Sequence, residues 1–186
     1  MKATQQLKDE HEGIKIILSV MERIADKISK GESPNSEHLD RIIEFLRVFA
    51  DKCHHGKEED ILFPALQAHG MPKDGGPIGV MLSEHQQGRL YIKALSEAVD
   101  DFKNGNKDAV MAIAEYTLNY TILLRNHIEK ENNVFFMMAD KILNGKEQDM
   151  MSEEFERIEV ERIGPGKHEE FHGLLKSLNS IYIKNQ

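Results

Sequence analysis

Six residues of this chain have types and spacings suited to holding metal ions: His11, His54, Glu58, His85, His127 and Glu131. His54 with Glu58 and His127 with Glu131 are two His-x-x-x-Glu pairs. On a helix, residues four apart lie one above the other, about 6 Å along the axis, so each pair aims an imidazole and a carboxylate at one point. Imidazole and carboxylate together suit iron or manganese, and imidazole suits zinc as well. No thiolate takes part, which argues against a zinc finger or an iron–sulfur cluster.

Such pairs need long helices to carry them. Breaks at 31–36, 69–77, 104–106, 144–149 and 164–166 divide the chain into segments rich in helix formers, with no sustained alternation of strand type. Pro34 and Pro77 each suit the first turn of a following helix. Spacings of three and four then define four buried stripes. The first runs Leu7, His11, Ile14, Leu18, Met21, Ala25 and Ile28, and the second Leu39, Ile43, Leu46, Ala50, His54, Glu58, Ile61 and Ala65. The third runs Ile78, Met81, His85, Gly88, Ile92, Leu95, Val99 and Phe102, and the fourth Val110, Ile113, Thr117, Tyr120, Leu124, His127, Glu131, Val134 and Met138. Four long amphipathic helices with short connections predict an all-α, up-down-up-down four-helix bundle over residues 1–145. Residues 146–186 are expected to form an extension, with shorter helices at 150–163 and 167–184 packed on the bundle.

Histidine and glutamate interrupt the stripes only at the six metal-suited positions. A buried carboxylate costs several kcal/mol unless it is paired or bound to a metal. Two among four histidines repeat that cost, and cations accepting all six side chains remove it. The pattern also repeats: His11 and His54 are 43 residues apart, His85 and His127 42. Two halves related by a pseudo-twofold axis would supply two ions, with each glutamate able to bridge both.

Composition narrows the function classes. The net charge of −8 and the dispersed basic residues suit neither DNA nor RNA. The apolar runs VFFMMA and IGVML are far too short to span a bilayer, and MKATQQLKDEHEGI has no signal-peptide core. With one cysteine, no intrachain disulfide can form, and the expected location is cytoplasmic.

The order His, His-x-x-x-Glu, His, His-x-x-x-Glu on four successive helices resembles the hemerythrin-like (HHE cation-binding) domain across residues 5–142. HHGKEEDILFP, GPIGVMLSEH and HIEKENNVFF are especially similar to the di-iron domain of bacterial proteins that repair iron–sulfur centres. The resemblance implies a non-heme, carboxylate-bridged centre of two iron ions, ranked above manganese or zinc, with the six residues as ligands. It implies oxygen, nitric oxide or peroxide as the small ligand. Two departures stand out. The small cysteine-bearing domain usual at the start of repair proteins is not expected here. Arg89 stands where oxygen-carrying hemerythrins have an extra histidine.

The remaining candidates have plainer readings. The stripe leaves His55 and Glu59 beside it, as solvated or supporting neighbours, since Asp51 and Lys52 are polar. Cys53 is expected to be partly buried and inert. Tyr120 is expected to pack in the core with its hydroxyl bonded, or to hydrogen-bond a bound diatomic. His168 and His172 lack further ligands at matching spacing and read as surface histidines. GPGKHEEF lacks the glycine and Ser/Thr of a phosphate loop, and the methionines read as core filler. Two function classes follow. One is a binding, sensing or iron-handling protein. The other is a di-iron enzyme that reduces nitric oxide, decomposes peroxide or repairs clusters. Sensing would need a signalling partner, and turnover would need an external electron donor.

Overall fold

The computed structural model describes residues 2–164 and 166–184. Every regular element among them is helical: α1 (Ala3–Ser29), α2 (36–68), α3 (Pro77–Lys103), α4 (109–142), α5 (Gly145–Arg162) and α6 (167–184). Asn35 caps α2 by accepting from the His38 amide, and Asn144 forms a capping box with Glu147 at the start of α5. Pro77 opens α3 as its first residue. Pro34 instead lies just ahead of the Asn35 cap, outside the first turn where the sequence placed it. Of the 164–166 break, Pro165 lies outside the described residues.

Pairings along the helices give the topology. Glu22 meets Arg125, His11 meets Asn132 and Lys2 meets Asp140, so α1 and α4 are antiparallel. Asp40 with Lys103, Asp51 with Arg89 and Glu59 with His85 set α2 and α3 antiparallel. His85 with His127, and Gly88 against Tyr120, do the same for α3 and α4. The result is the up-down-up-down bundle that the periodicity predicts. No described helix is long and apolar enough to cross a membrane.

Helices α5 and α6 cover the face made by α1 and α2. Arg162 of α5 donates to the Lys52 carbonyl and to Asp60, and Lys167 of α6 donates to Glu44. A Cβ on Gly56 would lie 2.0 Å from the Arg162 guanidinium, so that glycine leaves room for the docked arginine. This cover buries Gly56 and Lys57 on the outer side of α2, and with their buried neighbours the helix is buried continuously from Cys53 to Glu58. Cys53 is 1% exposed, and burial pushes its thiol up to about 12, a value that makes it inert at neutral pH.

Three of the helices are not uniformly wound: α6 ends in π-helical turns at Ser180–Lys184, and α2 and α4 carry them beside the glutamates. Wide π-helical turns occupy Leu46–His55 and Glu58–Leu62 in α2, and Glu131–Phe135 in α4. Pro64, just after the second, has no amide hydrogen to donate back into that turn. The extra residue shifts the buried face. Leu62, Phe63 and Leu66 follow Glu58 into the core, and Phe135, Phe136 and Ala139 follow Glu131. The stripe positions Ile61 and Ala65 are only partly buried, and Val134 is 55% exposed. The stripes therefore hold up to each glutamate and lose phase beyond it.

Candidate metal centre

The six stripe residues meet in a polar slab between two apolar clusters. One cluster runs from Ile14 through Leu46 and Leu95 to Leu124, and the other joins Leu7, Phe63, Met81, Phe136 and Phe155. All six are at most 1% exposed. His11 and His54 bring their Nε2 atoms to 3.0 Å, and His85 and His127 bring theirs to 3.1 Å.

The opposite ring nitrogens fix what those Nε2 atoms are. His11 Nδ1 donates to Asn132 Oδ1 at 2.9 Å, and His54 Nδ1 to Glu10 at 2.8 Å. His85 Nδ1 donates to Glu59 at 2.7 Å, and His127 Nδ1 to Glu84 at 2.9 Å. All four partner atoms are carboxylate or amide oxygens, which accept, so each Nδ1 carries a hydrogen and each ring, when neutral, presents a lone pair at Nε2. Two lone pairs 3 Å apart repel unless a cation lies between them.

The glutamates sharpen this. Glu131 places Oε2 3.2 Å from His11 Nε2 and Oε1 3.1 Å from His127 Nε2. Glu58 places Oε1 3.8 Å from His54 Nε2 and Oε2 3.4 Å from His85 Nε2. Each carboxylate thus turns one oxygen to each histidine pair, the disposition a bridging ligand needs. All four oxygens are buried without a hydrogen-bond partner among the described residues. Buried, unsatisfied carboxylates facing lone-pair nitrogens are unstable as hydrogen-bonded structure and stable as a cation-binding set.

Without metal, protons partly take the cation's place. Burial alone would lower His127, yet the Glu131 and Glu84 carboxylates raise it to about 9. Glu131 is held low against burial by His127 and His11, while burial and the Glu131 charge push Glu58 up. Burial, outweighing Glu10, brings His54 down to about 4. Burial and His85 bring His55 down to about 3.

His55 departs from its expected place. It is 5% exposed and stacks on His85 with ring centroids 3.9 Å apart. The donors that lie within 4.8 Å of one another form two groups: His11, His54, Glu58 and Glu131, and His55, Glu58, His85 and His127. The wide turns are the cause. A π turn holds more residues than an α turn, so neighbours 54 and 55 both face inward. Asp51 accepts from His55 Nδ1 at 3.4 Å, leaving Nε2 for the site. Arg89 fixes this support by donating to Asp51 at 2.8 Å and Glu59 at 2.7 Å. Glu59 thus plays the supporting part expected of it.

The supporting groups repeat with the ligands. Glu10 precedes His11 as Glu84 precedes His85, and Lys57 follows His54 by three as Lys130 follows His127. Lys57 donates to Glu10, and Lys130 to Glu84. Phe63 stacks on His85 at 5.9 Å, and Phe136 on His11 at 5.7 Å. Each phenylalanine is the fifth residue after its glutamate. The shared Glu-His and His-x-x-Lys-Glu-x-x-x-x-Phe strings were a readable signal, and the stripes did not use it.

Other candidates resolve differently. Tyr120 is 1% exposed as expected, but its hydroxyl and that of Thr117 have no hydrogen-bond partner among the described residues. His168 and His172 pack edge to face at 4.6 Å, and neither belongs to a described group of three or more donors.

A bundle whose core gathers two buried histidine–glutamate clusters defines a cation-binding helical protein. The chain belongs to the hemerythrin HHE cation-binding domain family, whose model matches residues 2–139. It is also similar to uncharacterized proteins of Mycobacterium bovis and Mycobacterium tuberculosis, 24% identical over 162 residues. Those matches cover 87% of this chain and 63% of each relative, so the chain spans less than two thirds of their length.

Proposed function

We propose that the chain is a non-heme di-iron protein that binds or senses oxygen or nitric oxide, or handles iron. The observation that carries this reading is the pair of Nε2–Nε2 approaches beside two carboxylates with no hydrogen-bond partner. His11 and His54 would hold one ion, His55, His85 and His127 the other, with Glu58 in both donor groups and Glu131 reaching the second through its oxygen beside His127. Iron is favoured over manganese and zinc by the family resemblance and by the mixed imidazole and carboxylate donors.

When bound, iron supplies one-electron redox chemistry and affinity for small diatomic ligands. The protein's part is to hold and shield. Glu10, Glu59, Glu84 and Asn132 fix the ring orientations through Nδ1. Phe63, Phe136 and the flanking apolar clusters keep water away. The position with two imidazoles has one protein donor fewer, and a small ligand is assigned there. His55 supplies a fifth imidazole from α2, although Arg89 occupies the α3 position of the hemerythrin histidine.

His55→Ala is expected to weaken one of the two binding steps by about 10- to 100-fold and leave the other within about twofold. Stepwise calorimetric titration of metal-free protein checks this, and equal weakening of both steps contradicts the division of ligands. Function is tested by stopped-flow spectroscopy of the reduced, iron-loaded protein. An absorbance change with oxygen or nitric oxide that reverses on degassing supports binding. Irreversible oxidation, with turnover once a reductant is added, sinks that reading in favour of an enzyme.

A further inference from the structure

The two halves of the centre match in ligands and supports but differ in what lies over their lysines. Lys130 is 42% exposed, while Lys57 is 1% exposed. The cover over Lys57 comes from α5. Glu159 accepts from Lys57 Nζ at 3.2 Å, and the Phe155 ring lies 5.8 Å from the same nitrogen. Lys57 donates to Glu10 Oε1, and Glu10 Oε2 accepts from His54 Nδ1. A continuous chain of charged contacts thus runs from α5, beyond the residues the family model matches, to one proposed ligand. No matching chain reaches His127 among the described residues, because the Glu84–Lys130 pair faces solvent.

We infer that Glu159 is a positioning residue for one half of the centre: it shares the Lys57 charge with Glu10, and so sets how strongly His54 holds its ion. The inference rests on the metal-binding reading. Its physical basis is the shared Glu10 carboxylate. With Lys57 held between Glu10 and Glu159, its charge is divided between two anions. Without Glu159, Lys57 bears on Glu10 alone. It then draws the carboxylate from the His54 Nδ1–H and leaves an uncompensated positive charge near the cation. Both effects weaken binding at that half. The other half feels neither, since its supports Asp51, Glu59 and Glu84 pair with Arg89 and Lys130 and not with Lys57.

The test uses the full chain with zinc as probe, followed by calorimetry and by ring nitrogen NMR of the zinc-loaded protein. Glu159→Gln is expected to weaken one of two zinc-binding steps by about three- to tenfold, less than loss of a direct supporting partner costs. The other step stays within about twofold, and the His54 Nδ1–H resonance moves while that of His127 does not. Glu156→Gln, which removes an equal charge from an exposed position of the same helix, is expected to change neither. Equal change in both steps or both resonances, an equal effect of Glu156→Gln, or no change with Glu159→Gln would each overturn the inference. If the unaltered protein fails to take two zinc ions, it is the metal-binding reading that fails. The NMR comparison needs only zinc-loaded, folded protein, so it decides the matter even if Glu159→Gln lowers stability.

Discussion

Protein carrying Glu58→Leu together with Glu131→Leu, grown in iron-replete medium, is expected to hold fewer than about 0.2 metal ions per chain, against about two for the unaltered protein. Metal analysis of the purified proteins checks this, and retention of one ion or more by the double variant would refute the site. Each single variant is expected to weaken both positions, because each carboxylate faces both histidine pairs. That separates the glutamates from His55, whose loss touches one position. The double variant carries a second, opposite expectation. Metal-free, it should melt no lower than metal-free unaltered protein. The four buried oxygens have no hydrogen-bond partner among the described residues, so apolar replacements remove a desolvation cost. Loss of binding without loss of fold would show that these carboxylates are kept for the cation.

Chelating the metal should destabilise the unaltered protein strongly. A ligand at a thousand times its dissociation constant contributes about 4 kcal/mol to the folded state. For a chain of this size each kcal/mol moves the midpoint by about 2–4 °C, so removal should lower Tm by roughly 8–16 °C. Differential scanning calorimetry with and without chelator measures the shift, and coincident melts would argue against a preformed site. Acid should lower the metal-free protein further. An unfolded histidine takes up its proton near pH 6.5, while folded His54 waits until about 4 and His55 until about 3. The unfolded state therefore gains protons first, and these two rings make stability fall between pH 6.5 and roughly 3. His127 acts in the other window: raised to about 9, it stabilises fully below pH 6.5 and ceases to do so as pH rises through 9.

The bundle was legible because its signal is long. Leu7 to Ile28 and Ile78 to Val99 keep three-and-four spacing over six turns, and every one of those positions is buried. The six metal-suited residues were legible because charged groups on an apolar stripe demand a partner. His55 was not, and the reason is local. Helical bookkeeping assumes a constant turn, and the wide turns around residues 46–62 break that assumption where two neighbours must face the same way. The stripes carry Ile61 three residues after Glu58 and Val134 three residues after Glu131. The structure gathers His54 and Glu58 in the core but leaves Val134 in solvent, with Leu62 and Phe135 as the buried residues. The helices α5 and α6 were legible as helices. Their electrostatic reach into the bundle was not, since Glu159 and Lys57 are 102 residues apart with no pattern linking them.

The pairing of Glu10 with Glu84, Lys57 with Lys130, and Phe63 with Phe136 makes the molecule its own reference compound. Any difference in how the two histidine–glutamate clusters hold cations would trace to the places where the pairing fails. Among these are His55 against the buried Ile128, Glu59 against Asn132, and a covered lysine against an open one. A comparison that would ordinarily need two proteins can be made between two ends of one bundle, at one temperature, in one tube.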